Sequence, residues 1–153
     1  MIKYVPLKLL PILILVLAPV GAYFINLEIQ SYYGRQAYMA TGLERLSLAD
    51  AKRKARKEGK LVLVDVSAEW CGTCRKLDKE VLSDPMVRKA ITENYTFTRL
   101  EYESPEGSKF LRAQNVNSYP SLWLVKPNGD VVKRLHVTFM PSEFIKQLDP
   151  SRY

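Results

Sequence analysis

The sequence predicts an α/β fold in which helices flank a mixed central sheet, with an N-terminal transmembrane helix in front of them. Two observations predict this arrangement. Patterns typical of helices and strands alternate along the chain, and the last two strands are joined by the hairpin signal Pro127-Asn128-Gly129-Asp130. The chain has 153 residues. After an apolar segment of about 26 residues, the remainder is long enough for one domain of ordinary size.

The N-terminal segment, residues 1–26, predicts export of the chain. From Leu9 to Ile25 it carries no charge and consists mainly of Leu, Ile and Val, with Lys3 and Lys8 in front. This run reaches the lower limit of the roughly 17–25 apolar residues that a transmembrane helix needs, and the two lysines place the N-terminus in the cytoplasm. The alternative is a cleaved signal peptide, because Val20-Gly21-Ala22 fits a cleavage site. Both interpretations place the rest of the chain outside the cytoplasm.

Residues 27–46 are rich in Tyr and lack a clear periodicity, so we interpret them as a juxtamembrane spacer before a domain over 47–149. The first helix of the domain starts at the capping-box-like sequence Ser47-x-x-Asp50 and ends at Gly59. A run of β-favouring residues then predicts a buried strand over 61–66. The expected helices span 47–58, 72–81, 85–93, 105–114 and 141–148, and the expected strands span 61–66, 96–102, 121–126 and 130–137.

The charge of the chain is +7, from 23 Lys and Arg against 16 Asp and Glu. The excess is concentrated in the predicted helix 47–58 and just after it. We interpret this run as the solvated face of an amphipathic helix; the alternative is adhesion to anionic lipid headgroups. No nucleic-acid-binding motif is present, and an exported domain does not meet nucleic acid. The basic residues of this run are Lys52, Arg53, Lys54, Arg56, Lys57 and Lys60.

The two cysteines of the chain are three residues apart, in Trp70-Cys71-Gly72-Thr73-Cys74. They follow the predicted strand directly and open the next predicted helix, whose Cys74, Leu77 and Val81 recur on one face. A helix N-terminus favours the thiolate, which is the nucleophile in disulfide exchange. A zinc site needs two further ligands, and the one histidine, His136, lies far along the chain. A purely structural disulfide would close too small a loop to stabilise the fold much.

These residues carry a family resemblance. The segment from Val64 to Cys74 resembles the active-site segment of thioredoxins, and the segment from Asn117 to Leu122 resembles their cis-proline loop. Ser83-Asp84-Pro85 and Thr138-Phe139-Met140-Pro141 are similar in particular to the C-terminal thioredoxin-like domain of the membrane electron transporter DsbD. The resemblance covers about residues 47–149 and implies a thioredoxin-like fold. Two residues depart from it: Thr73 and Lys79 stand where thioredoxin has prolines.

The resemblance implies catalytic roles for three residues. Cys71 should attack a substrate disulfide, or accept attack, and Cys74 should resolve the mixed disulfide. Asp65 matches the buried aspartate of thioredoxins and would relay a proton to or from Cys74. The alternative for Asp65 is a structural carboxylate hydrogen-bonded to backbone. No cofactor is expected beyond the redox-active Cys71–Cys74 disulfide, and no metal.

The resemblance also implies a substrate-binding surface. Trp70 would shield the cysteine pair, the alternative being plain core packing. Tyr119 and Pro120, in a cis peptide, would offer backbone hydrogen bonds to an extended substrate segment. Arg99 stands where thioredoxins carry a lysine near the buried aspartate, which implies an influence on that carboxylate. We interpret His136 as a structural or solvent-exposed strand residue.

Three functional classes remain open at this point. The first is a thiol-disulfide reductase or interchange protein that takes electrons from a membrane electron-donor protein and passes them to disulfide-bearing exported proteins. The second is an oxidant that introduces disulfides, and the third is a non-catalytic binding module that keeps the fold. The intact cysteine pair argues against the third class. The expected location is the inner or plasma membrane, with a single pass and the domain facing the periplasm or cell exterior.

Overall fold

The computed structural model describes residues 10–149, and in that part of the chain the predicted α/β fold is confirmed. The strands are β1 (Leu61–Ser67), β2 (Tyr95–Glu101), β3 (Ser121–Val125) and β4 (Val131–Leu135). Across these residues they form a mixed sheet in the order β2-β1-β3-β4. Strand β1 pairs in parallel with β2 and antiparallel with β3, while β3 and β4 form the predicted hairpin.

Helices cover both faces of this sheet. Because successive side chains of a strand point to opposite faces, β1 contributes to two cores. Leu63 faces the core completed by the helices over residues 72–77, 85–94 and 141–147. Val62 and Val64 face the core completed by the helices over residues 48–58 and 105–113. The helices are α1 (Leu10–Thr41), α2 (Leu48–Glu58), α3 (Gly72–Leu77), α4 (Pro85–Asn94), α5 (Pro105–Ala113) and α6 (Pro141–Gln147).

Helix α2 has the two ends that the sequence predicts. The Ser47 Oγ accepts a hydrogen bond from the Asp50 N–H at 3.0 Å, and Gly59 adopts a φ of 67°, which glycine tolerates without strain. Most of its basic side chains are exposed, and Lys54 pairs with Glu44 at 2.7 Å. Helix α2 leads into the first residue of β1, at one end of the sheet. The cysteines follow the last residue of β1, at the other end. This basic face therefore lies away from the cysteine end of the sheet.

The helix predicted over 72–81 is interrupted. Helix α3 ends at Leu77, and Asp78–Leu82 form one π-helical turn in which the Ser83 N–H donates to the Asp78 carbonyl at 2.9 Å. This turn buries the carboxyl-bearing Asp78 beside Val81 and Leu82. Sequence periodicity missed the interruption because one inserted residue hardly alters the spacing of apolar positions.

Strand β4 is shorter than the predicted 130–137. The His136 N–H donates to Oε1 of Gln147 at 2.7 Å, and the His136 carbonyl accepts from Nε2 of the same side chain at 3.0 Å. Because a side chain of α6 takes both backbone groups, the sheet ladder stops at Leu135. His136 is exposed, in agreement with its interpretation as a structural or solvent-exposed residue, but it lies just after the end of the strand in which the sequence places it.

The stretch interpreted as a spacer, residues 27–46, differs most from the sequence prediction. Helix α1 continues to Thr41, and its last turns pack against the domain instead of separating it from the N-terminal apolar segment. The helix positions buried there are Ser31, Gly34, Ala37 and Thr41. Because these residues are small or polar, they leave no apolar periodicity for sequence analysis to detect.

The first half of α1 is exposed. Large apolar side chains from Leu13 to Ile25 point away from the protein, and length and composition make Leu13–Thr41 a candidate membrane span. Lys3 and Lys8, which carry the orientation prediction, lie outside the described residues. The division of the chain at residues 26 and 46 therefore stays a prediction, although α1 crosses the first of these boundaries as one helix and ends at Thr41, before the second.

Candidate redox site

The cysteine pair lies where β1 leads into α3. Cys71 and Cys74 form a disulfide, with their Cα atoms 5.3 Å apart. Cys71 is the N-cap of α3, and its Sγ accepts a hydrogen bond from the Cys74 N–H at 3.0 Å. Cys71 is 6% exposed and Cys74 is 2% exposed, so Cys71 is the more accessible of the two. After reduction, the Cys71 thiolate would face N–H groups that lack helix partners.

Aromatic side chains surround the disulfide. Trp70 and Tyr119 both pack against the cysteine pair, and their rings meet edge to face with centroids 5.4 Å apart. Tyr102 packs on the same cluster, with its ring centroid 4.4 Å from that of Tyr119. The structure thus brings together two predicted residues and one that sequence reasoning missed. Tyr102 follows the end of β2, next to the end of β1, and only the parallel pairing of these strands places it there.

The loop before β3 has the predicted backbone. The Tyr119–Pro120 peptide is cis, and Pro120 is buried while Tyr119 is half-buried. An X–Pro bond adopts cis at low energetic cost, and a cis bond in a folded protein is a specific local feature. The role of this loop in substrate binding stays a prediction.

A buried charge triad lies behind the cysteines. Strand pairing places Asp65 opposite Arg99, and the Arg99 Nε donates to Asp65 Oδ2 at 2.7 Å. The same guanidinium donates to both oxygens of Asp78, at 2.9 Å from Nη1 and 2.5 Å from Nη2. Asp65 is 0% exposed, Asp78 1% and Arg99 7%. Ser67 donates to the second oxygen of Asp65 at 2.7 Å, so both Asp65 oxygens already accept hydrogen bonds.

The charges of the triad follow from this geometry. Burial, the largest cause, and the nearby Asp65 carboxylate raise the pKa of Asp78, and the Arg99 guanidinium lowers it only in part. Burial by itself lowers the pKa of Arg99, but the Asp65 and Asp78 carboxylates raise it by more, so Arg99 stays charged. Tyr38 of α1 covers the guanidinium, whose central carbon is 4.2 Å from the ring centroid. Ser67 and Arg99 already donate hydrogen bonds to the two Asp65 oxygens. The proton relay through Asp65 stays a prediction.

Sequence reasoning singled out Asp65 and Arg99 but missed Asp78. The signal that would have found it is a carboxylate on the apolar face of the cysteine helix, four residues after Cys74. A buried arginine on a strand needs more than one acceptor, because its guanidinium has five donors. Asp78 supplies the second acceptor from the π-helical turn.

A cavity of about 290 Å³ separates the disulfide from α1. Cys74 and Arg99 line it on the domain side, and Gly34 and Tyr38 line it on the α1 side. Glu101, at the end of β2, also lines it; burial raises the pKa of this carboxyl group. The Glu101 Oε1 accepts a hydrogen bond from the backbone N–H of the residue before Trp70 at 3.2 Å. The cavity thus borders the buried Cys74 on the side of the domain that faces α1.

The fold and the disulfide agree with a comparison of the chain with known protein families. A family model described as thioredoxin-like matches residues 43–127. The chain belongs to the thioredoxin-like family. With its Cys71–Cys74 disulfide, the site is that of a thioredoxin-like disulfide oxidoreductase. The matched range begins before the predicted boundary at residue 47 and includes Leu43, which packs in the core.

Individual relatives point the same way. The thiol:disulfide interchange protein DsbD 1 of Pseudomonas aeruginosa is 32% identical over 89 residues, which are 57% of this chain and 15% of that protein. The UBX domain-containing protein 5 of Saccharomyces cerevisiae is 27% identical over 112 residues, 70% of this chain and 22% of that protein. A thioredoxin from Thermus thermophilus superposes with a TM-score of 0.62 at 28% identity, covering 69% of this chain and 84% of that one. The chain thus spans less than a quarter of the length of these two curated relatives.

Proposed function

We propose that this protein is a membrane-anchored thiol-disulfide oxidoreductase that works outside the cytoplasm and reduces or exchanges the disulfides of exported proteins. The observation that carries the proposal is the Cys71–Cys74 disulfide at the N-cap of a helix, with Cys71 the more exposed member. The similarity to a thiol:disulfide interchange protein, DsbD 1, supports disulfide exchange as the reaction. The chemistry needs no cofactor beyond the cysteine pair and no metal.

The reduced pair would act by two successive exchanges. The Cys71 thiolate attacks a substrate disulfide, the substrate S–S bond breaks, and one substrate sulfur leaves as a thiolate that takes up a proton. Cys74 then loses its proton and attacks Cys71 in the mixed disulfide, which releases the second substrate thiol and restores the Cys71–Cys74 disulfide. Two electrons pass to the substrate in each cycle. A membrane electron-donor protein would return the pair to the dithiol by the same steps in reverse.

The loop with Tyr119 and Pro120 supports the way in which we expect a substrate to bind. The cis peptide and the aromatic cluster of Trp70, Tyr102 and Tyr119 form the surface beside the more exposed cysteine. An extended segment of a substrate could pair with the loop backbone, which gives affinity with little dependence on side chains. This mode suits an enzyme that acts on many unrelated disulfides.

The experiment is dithiol-driven reduction of insulin by the full-length protein in detergent. Cys71→Ser should abolish turnover, whereas Cys74→Ser should accumulate a mixed disulfide with the substrate, because attack remains and resolution is lost. Met86→Ser is the matched control, since Met86 is an exposed sulfur-containing residue on α4, away from the redox site. Turnover by both cysteine variants at the control rate would refute the enzymatic proposal.

The reduction potential of the Cys71–Cys74 pair tests the direction of electron flow. A reductase should have a potential near the roughly −270 mV of thioredoxin, because neither Gly72 nor Thr73 supplies a charge that stabilises the reduced form. Equilibration with glutathione or dithiothreitol buffers, followed by thiol alkylation, measures it. A value near the roughly −120 mV of a dedicated oxidant would replace the reductase assignment by the introduction of disulfides.

A further inference from the structure

The packing of α1 against the domain has a direction. The part of α1 that packs against the domain begins at the cysteine end of the domain, where Gln30 contacts Arg75 of α3. The Arg75 Nη1 donates to Gln30 Oε1 at 2.9 Å and to the Gln30 carbonyl at 3.4 Å. Further along, Tyr38 covers the Arg99 guanidinium in β2. After α1 ends, Leu43 joins the core with Phe97, two residues earlier in that strand. The helix therefore runs from the cysteine end of the sheet toward the opposite end.

The contact at the cysteine end is close and specific. A Cβ atom on Gly34 would lie 1.8 Å from the Glu69 carbonyl oxygen, so only glycine lets α1 approach the segment that leads into the redox site. One helical turn before Gly34, Gln30 accepts a hydrogen bond from Arg75. Directly after Gly34, Arg35 pairs with the Glu69 carboxylate at 2.9 Å. The segment just before Trp70 and Cys71 is thus held by α1 through both backbone packing and an ion pair.

The apolar part of the same helix ends shortly before these contacts. The uncharged run ends before Glu28, and Gln30 lies five residues after Ile25. At 1.5 Å per residue, the start of the packed part lies about 8 Å beyond the apolar run along the helix axis. The headgroup region of a bilayer leaflet is roughly 5–8 Å thick, given a hydrocarbon core of about 30 Å within a total of about 40–45 Å. Tyr32 and Tyr33, both exposed, follow Gln30 and lie about 11 and 12 Å beyond the apolar run, just outside this layer.

From this geometry we propose that α1 acts as a rigid spacer that holds the Cys71–Cys74 disulfide at the headgroup level of the membrane, facing the bilayer. This inference rests on the proposed membrane anchoring and names the partner of the redox site. The electron donor is an integral membrane protein that presents its reactive cysteine at the membrane surface. A donor whose cysteines lie well above the surface would meet the opposite end of the domain first.

The test uses vesicles that contain a phospholipid with a thiol on its headgroup, together with the oxidised full-length protein. A lipid thiolate attacks Cys71, the Cys71–Cys74 bond breaks, and Cys74 leaves as a thiolate that is protonated. A second lipid thiol then attacks the mixed disulfide, which yields a lipid disulfide and reduced Cys71. The readout is the time course of alkylation of the two cysteines by a maleimide of high mass, seen as a gel shift.

The decisive variant carries seven additional helix-forming residues between Glu28 and Ile29. Seven residues make two turns of helix and raise the domain by about 10 Å with little rotation. Reduction by lipid thiols should then slow by about tenfold or more, because the local thiol concentration falls once the site leaves the headgroup layer. Reduction by soluble dithiothreitol should keep the wild-type rate. Gly34→Ala, which forces α1 away from Glu69, should slow the lipid reaction in the same way.

The outcomes separate this inference from the proposed function. Equal rates of lipid-thiol reduction for the wild type and the extended variant would overturn the spacer role of α1. The same holds if the wild type reacts with dithiothreitol but not with lipid thiols. Failure of the protein to float with vesicles would contradict the membrane anchoring itself, and failure of the wild type to react with dithiothreitol would contradict the redox function.

Discussion

Replacing Arg99 by methionine tests how much the buried triad contributes to the stability of the redox domain. The change keeps most of the side-chain volume and removes the cation between Asp65 and Asp78, which are 0% and 1% exposed. Removing one partner of a buried ion pair costs about 3–5 kcal/mol, since the other charge is left without compensation. Here two carboxylates remain, so the upper part of this range is expected. At roughly 4 °C per kcal/mol, a loss of about 4–5 kcal/mol should lower the melting temperature by about 16–20 °C.

The pH dependence gives a second, independent readout of the same variant. In the wild type, burial already raises the pKa of Asp78, and the guanidinium opposes that shift. Without Arg99 the folded-state pKa rises further above the unfolded value. A carboxyl group whose pKa is higher in the folded state than in the unfolded state stabilises the fold at pH values below the unfolded pKa. This stabilisation is lost as the pH rises through the folded pKa. The variant should therefore lose more stability than the wild type between about pH 5 and about pH 8.

The assay is thermal unfolding of the oxidised full-length protein in detergent, followed by near-ultraviolet circular dichroism at both pH values. Arg112→Met is the matched control, because Arg112 is exposed on α5 and far from the triad, and it should leave the melting temperature unchanged. A variant with Asp65→Leu, Arg99→Met and Asp78→Leu should recover much of the lost stability, since apolar residues of similar volume often replace a buried ionic group without loss. A loss below about 1 kcal/mol for Arg99→Met, in the range of exposed ion pairs, would refute the reasoning.

Three further predictions address the anchor, the helix packing and the loop. The full-length protein should stay with the membrane fraction after high-salt and carbonate washing, since an apolar spanning helix is not held by charge; recovery as soluble protein starting at Tyr23 would instead show signal cleavage. A fragment that starts at Leu43 should have a lower melting temperature than one that starts at Asn26, because it lacks the Tyr38 ring over Arg99. Equal melting temperatures in scanning calorimetry would contradict a structural role for the end of α1. Tyr119→Ala should raise KM for insulin several-fold while leaving the rate of reduction by dithiothreitol unchanged. An unchanged KM with a slower reduction by dithiothreitol, measured in steady-state kinetics, would place Tyr119 in the chemistry and not in substrate binding.

Local signals in the sequence were sufficient for the redox site itself. The Cys-x-x-Cys spacing, the strand before it and the helix after it are all encoded within residues 61–81, and capping and turn residues act over three or four positions. The resemblance to thioredoxins led to the loop at Tyr119 and Pro120, which lies almost fifty residues away. Helix α2, its Ser47 cap and its Gly59 end were predicted for the same reason, because each depends on neighbours in the chain.

Other features required the tertiary structure, because they depend on residues brought together from distant parts of the chain. Asp78 looked like one more charge on a helix until the π-helical turn and the parallel pairing of β1 with β2 placed it on the Arg99 guanidinium. The end of α1 looked like a spacer because small and polar residues pack against a domain without producing apolar periodicity. Gly34 shows the limit most clearly: its need for close approach to Glu69 comes from the position of another segment, which no local pattern contains.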